Sequence, residues 1–212
     1  MPNWCSTKIW FYSEDKNSVE EFYTFVQESI SEMRAPNGFG SDWLGNVLIY
    51  AGLENEIDGS LSCRGSIEYI SDDIEYKEGY YYFDIDTETA WVPMIKMWVE
   101  VLKKQRLDHT IEIAYQAEEC GCELYEQHDD TGGVFAVDTV YIDAFGDEAG
   151  KLSNYYADPE KAMESLREFF NAPPDTYMDE LVEMAEEYSE KNEYDNFINV
   201  HIFHDAGLLD YD

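Results

Sequence analysis

Carboxylates are the reactive groups this sequence has in excess. No Lys or Arg lies between Arg106 and Lys151, an interval that carries Asp108, Glu112, Glu118, Glu119, Glu123, Glu126, Asp129, Asp130, Asp138, Asp143, Asp147 and Glu148. On a strand, alternate residues share one face about 6–7 Å apart, comparable to phosphate spacing along a nucleic-acid strand. A second row suits a helix. Met178, Leu181, Val182, Ala185 and Tyr188 form its apolar face, which leaves Asp179, Glu180, Glu183, Glu186, Glu187 and Glu190 on the polar one. Such rows can occupy a cationic groove built for nucleic acid. The partner-binding candidates are therefore Glu118, Glu119, Glu123, Glu126, Asp129 and Asp130 together with those six helix acids. The competing reading is a solvated acidic surface, as in salt-adapted proteins.

Other constellations have weaker spacing. Asp84, Asp86 and Glu88, with Asp72 and Asp73 nearby, offer the oxygen ligands that a hard cation such as Mg²⁺ takes, but chance carboxylate clusters are expected in so acidic a chain. Cys120 and Cys122 with His109 and His128 match no common zinc spacing, and neither does His201-x-x-His204. Trp4, Trp91, Trp98 and the 80–82 tyrosine run could stack bases. That mode needs cations for the phosphates, so core packing is the better reading. No phosphate-cradling Gly-rich loop and no Ser-His-Asp or Cys-His arrangement is present. The expectation is a non-enzymatic protein with no catalytic residue, no metal and no cofactor.

The chain has 212 residues, 44% of them hydrophobic and 16% aromatic, which is enough to build a core. Its formal net charge is -34, from 47 acidic residues against 13 Lys and Arg. Repulsion on this scale works against compaction, which suggests that the charge has a use. It argues against nucleic acid or an anionic membrane as a direct partner and favours a basic protein. There is no charged-then-apolar leader and no apolar run near 18 residues, and the four cysteines are Cys5, Cys63, Cys120 and Cys122. These features predict a cytoplasmic protein with reduced thiols.

The elements that must position these groups follow from periodicity. A strand is predicted at 8–12. Next comes a helix at 18–34, opened by the S-x-x-E box of Ser18 and Glu21 and ended by Ala35-Pro36-Asn37-Gly38. The apolar segment 43–53 reads as a short helix or a buried strand, and Asp58-Gly59-Ser60 as a turn. Strands follow at 65–70 and from 80, then a helix at 93–105 with Pro93 in its first turn and a strand at 110–116. A hairpin is predicted at 122–143 around Asp129-Asp130-Thr131-Gly132-Gly133. Asp158-Pro159 starts one helix, Asp175 or Thr176 another, and 199–203 reads as a last strand.

The order up to residue 116 is β-α-β-β-α-β, so the fold class is α+β, with a ferredoxin-like antiparallel sheet. Right-handed crossovers predict the spatial order 110–116, 8–12, 80–85, 65–70, with both helices on one face. The expected domains are 1–150, including the added hairpin, and an acidic helical extension at 151–212.

Three motifs in order resemble the YubB-type, Api92-like family of phage and plasmid proteins. They are Met1-Pro2-Asn3-Trp4-Cys5; Phe83-Asp84 with Thr89-Ala90-Trp91 and Pro93; and Tyr115 with Glu119 and Gly121. The family's W-G-T-K-W segment has no clear copy here. The resemblance covers about residues 1–145 and implies a ferredoxin-like domain of mobile-element origin. Charge and resemblance together lead to an expected function. The chain is an anti-defence inhibitor acting in the bacterial host cytoplasm, whose acidic surfaces mimic DNA against a basic nucleic-acid-binding host protein such as a CRISPR effector or restriction enzyme. The alternative is a protein that binds or hydrolyses a nucleotide signal in a sheet-face pocket lined by 80–82 and Trp91.

Overall fold

In the strand β1 (Trp4–Ser13), Cys5, Thr7, Ile9 and Phe11 are buried while Trp4, Ser6 and Lys8 are exposed. That alternation gives one face to a core and leaves the other open. The computed structural model describes residues 3–31, 38–57, 59–192 and 195–208. The chain divides into two units, Met1–Ala136 with Asp205–Asp212, and Val137–His204. The boundary expected at 150 therefore falls inside the second unit.

In unit 1, β1 pairs antiparallel with both β4 (Tyr80–Ala90) and β5 (Glu112–Glu119). The strand order is β6-β5-β1-β4-β2, with the two-residue strand His204–Asp205 beyond β6, where β2 is Gly65–Ile70 and β6 is Leu124–His128, and the short β3 (Glu75–Lys77) pairs with β4. The inner order β5-β1-β4-β2 is the one read from the sequence. β4 is longer than the strand expected at 80–85 and runs on as far as Ala90.

Three helices cover the inward face: α1 (Lys16–Ser29), α2 (Leu44–Ala51) and α3 (Ile95–Gln105). Val19, Phe22 and Val26 of α1, Leu44, Val47 and Leu48 of α2, and Ile95, Trp98 and Val101 of α3 share one core with Ile9, Phe11, Phe83 and Ile85. Phe11 sits at its centre, with ring centroids 5.0 Å from Phe22, 5.1 Å from Phe83 and 5.2 Å from Trp98.

Local signals explain where the helices begin and end. The cap of α1 is Asp15, whose carboxylate accepts the Asn17 N–H at 3.2 Å and the Ser18 hydroxyl at 2.7 Å. The expected Ser18–Glu21 box is thus displaced by three residues, because Asp15 already meets the first free N–H. The predicted end of this helix at 34, the break at 35–37, Asp58, Met1 and Pro2 lie outside the described residues. Segment 43–53 resolves as a helix, closed by Gly52 in the left-handed region at φ 73°. α3 starts two residues after Pro93.

The hairpin expected at 122–143 does not form. β6 turns back on β5 through 120–123, and the chain then leaves the sheet. The reason is Asp129, whose carboxylate accepts N–H groups from Thr131 (2.9 Å), Phe135 (2.8 Å) and Ala136 (3.1 Å). This folds 129–136 into a clasp that buries Phe135 against Tyr12 and Ala114, with Trp10, Tyr80 and Tyr82 alongside.

Unit 2 contains the other half of the expected hairpin. β7 (Val140–Phe145) lies between β8 (Asn154–Tyr156) and β9 (Phe197–Ile202), all antiparallel. The region after 150 is therefore more than a helical extension. α4 (Pro159–Phe170) is capped by Asp158, which accepts the Glu160 N–H at 3.0 Å, and has proline in its first turn as expected. α5 is Met178–Lys191. Ala162 and Leu166 of α4 and Leu181 and Ala185 of α5 pack on Val140, Ile142, Ala144 and Ile198. The α+β class holds in both units. Among the described residues, no helix is long and apolar enough to cross a membrane.

Candidate functional site

α5 owes its orientation to three buried residues, Leu181, Ala185 and Ser189, spaced four apart on one face. Ser189 locks it in place: its hydroxyl oxygen accepts the Ile198 N–H at 3.0 Å and donates to the Ala185 carbonyl at 2.9 Å. Asp179, Glu180, Glu183, Glu186, Glu187 and Glu190 are all exposed, as the sequence reading required. Glu187 pairs with Lys191 at 2.8 Å, which holds its carboxyl below the ordinary value. At about 1.5 Å rise per residue, six carboxylates from 179 to 190 give one charge per roughly 3.3 Å of axis. Measured along the duplex axis rather than along the backbone, one strand of DNA carries one per about 3.4 Å.

The acids of the 118–130 segment divide into two sets. Glu123 and Asp130 are exposed, and Glu118 and Glu126 are half-buried. Glu119 is only 4% exposed. Burial pushes its carboxyl up, but hydrogen bonds from Cys122, Asn3 and the Gly121 N–H, the last at 2.8 Å, outweigh that and hold it below the ordinary value. Asp129 is spent on the clasp. Glu119 and Asp129 therefore do not present charge to a partner, which corrects the sequence reading. Asp130 lies 3.3 Å from the buried His128 ring, whose other nitrogen meets Asp205 at 3.0 Å.

The open face of the unit 1 sheet carries rows of facing residues: Glu118, Ser6 and Glu88; Gln116, Lys8 and Asp86; Ala114, Trp10 and Asp84. Lys8 occupies the middle of the carboxylate group that resembled a metal site. Its Nζ is 2.9 Å from Asp84 and 5.5 Å from the centre of the Trp10 ring. Burial alone would lower the ammonium pKa, but the Asp84 hydrogen bond and charge outweigh it and raise the value. Burial raises the carboxyls of Asp86 and Glu88 above their ordinary values. Asp72 and Asp73 are exposed in the turn after β2. Among the described residues, no group of three or more His, Cys, Asp and Glu is arranged to hold a metal.

The remaining sequence candidates are dispersed. Cys120 and Cys122 lie in the exposed turn after β5, where their sulfurs accept from Tyr125 Oη (3.3 Å) and Asn3 Nδ2 (3.6 Å). His109 is exposed beside Asp108. The buried Cys5 thiol is pushed up to about 12 by desolvation. Tyr80–82 begin β4 and Trp91 follows its end, roughly 30 Å away, so these residues do not line one pocket. Trp98 is core, but Trp4 and Trp91 are exposed, against the packing role expected of them.

Sequence reasoning also missed a cavity of about 350 Å³ in unit 1, lined by Trp4, Phe39, Asp42, Trp43, Arg64, Gly65, Ser66 and Ala90. The available signal was the density of aromatics in 39–43. Comparison with protein-family models, curated proteins and solved structures finds no match at any of the three levels.

Proposed function

We propose that this protein is a non-enzymatic inhibitor that occupies the nucleic-acid groove of a basic host defence protein with the acidic face of α5. The observation that carries the reading is the charge interval on that face, close to that of a nucleic-acid strand. A second consideration supports it. Glu183 has Asp179, Glu180, Glu186 and Glu187 three or four residues away, and like charges at those spacings destabilise a helix by about 0.2–0.5 kcal/mol each. A helix that keeps such a row accepts a stability cost that core packing does not require. The likeness to phage and plasmid proteins supplies the anti-defence setting, with a CRISPR effector or restriction enzyme as the target class.

The test is affinity capture from host lysate on the immobilised protein, followed by elution with duplex DNA or with salt. A single basic nucleic-acid-binding partner is expected, displaced by DNA and held less tightly as ionic strength rises. The triple variant Glu183→Lys, Glu186→Lys, Glu190→Lys should bind that partner at least about tenfold more weakly. Unchanged, salt-insensitive binding by the triple variant would leave solubility as the use of the charge.

A further inference from the structure

The cavity at the Trp4 corner of unit 1 is a trough with a small-residue floor. Trp4 on β1 faces Ala90 on β4, and Ser66 on β2 is flanked by Trp43, which adds a single bridge outside β2. Gly65, Ser66 and Ala90 line it between Trp4 and Trp43, whose strand positions are about 14 Å apart. Phe39 stacks on Trp43, with centroids 4.6 Å apart.

Two glycines maintain this shape. A Cβ at residue 45 would lie 2.2 Å from the Trp43 ring, so Gly45 lets the indole fold over the first turn of α2. A Cβ at residue 65 would lie 2.4 Å from the Glu88 carbonyl oxygen, so only glycine permits that strand approach. The aromatic walls are open to solvent, with Trp4 54% and Phe39 69% exposed.

We infer that this trough receives the guanidinium group of an arginine on a basic protein partner. Aromatic faces are the negative part of the ring quadrupole and attract cations. Guanidinium is planar, weakly hydrated and suited to stacking on indole. Asp42 lines the cavity, and Glu88 faces both Ser66 and Ser6 on the same side of the sheet. The net charge of -34 favours entry of a cation and opposes an anion. Among the described residues Arg64 is the one cation in the lining, and it works against the proposed occupant. That opposition makes its removal diagnostic.

The inference shares with the reading above the premise of a basic partner, but it concerns a different unit and is tested without that partner. Indole Nε1–H NMR signals of Trp4 and Trp43 are followed during titration with N-acetyl-arginine amide, with the neutral isostere N-acetyl-citrulline amide, and with adenosine monophosphate. The expected result is a saturable shift with the arginine probe alone. Trp4→Ala should weaken it about fivefold, and Arg64→Ala should strengthen it. Both residues are exposed, so neither change should disturb the fold. Equal shifts with citrulline would mean that charge is not read. Saturable binding of adenosine monophosphate that Arg64→Ala abolishes would identify an anion site. Either result, or silence with all three probes, overturns the inference. The α5 triple variant should titrate like the native chain, so a failure here leaves the α5 reading to its own test.

Discussion

The carboxylates of the two units do different work. In unit 1 five of them hold local structure: Asp15 caps α1, Asp84 meets Lys8, Asp129 gathers a loop, and Glu119 and Asp205 accept from neighbouring groups. In unit 2, Glu164 and Glu168 of α4 stand exposed, and so do the six acids of α5. Cations meet acids of these helices at their ends, as in Arg167–Glu160 at 2.6 Å and Lys191–Glu187. The acids of unit 1 therefore include a structural set beside exposed ones such as Glu123 and Asp130, whereas those on the polar faces of α4 and α5 stand in solvent.

The contrast breaks or sharpens on substitution. The largest effect should come from Asp129→Ala, which frees three N–H groups and releases Phe135. A loss of about 2–3 kcal/mol is expected from urea unfolding, with faster amide exchange at Phe135 and Ala136. A change no larger than that of an exposed glutamate would erase the distinction.

Asp86→Asn should have an intermediate effect of opposite sign. Burial raises the folded carboxyl above its unfolded value, so the group favours folding only when protonated. That contribution is complete below the unfolded value near pH 4 and is lost as pH rises through the folded one. The amide should therefore raise Tm at pH 7, and the gain should fade below about pH 4. A gain that is independent of pH would mean that charge is not its cause.

The smallest effect belongs to α5. Glu183→Gln removes a charge from among four like neighbours and should stabilise unit 2 by about 0.5 kcal/mol or less at low salt. The gain should disappear near 1 M salt, where screening reaches about 3 Å. Destabilisation would show that the residue has a structural partner after all.

Much of unit 1 was legible in the sequence. Its long amphipathic segments bury apolar residues at strict intervals, and those intervals determine strand order and helix face. The inward position of Glu119 was legible too, since Ile113, Tyr115 and Ala117 precede it at alternate positions. The clasp was not. Asp129 followed by two glycines reads as a hairpin turn, and the same residues serve a carboxylate that binds several N–H groups at once. The sheet of unit 2 was hidden because β8 is three residues long and its partners are far apart in sequence. Aromatic residue type does not reveal which face is covered, so Trp4 could not be told from Trp98.

The return of the chain to unit 1 after His204 has a consequence in time. Ala206 donates to the Gln127 carbonyl at 3.1 Å, Tyr115 donates to the Gly207 carbonyl at 3.0 Å, and Asp205 meets His128. These partners leave the ribosome only after residues 137–204 have been made, on the order of ten seconds later. During that delay β6 is a bare edge strand, open to pairing with another nascent chain. Translation speed across unit 2 thus sets how long unit 1 is vulnerable to aggregation.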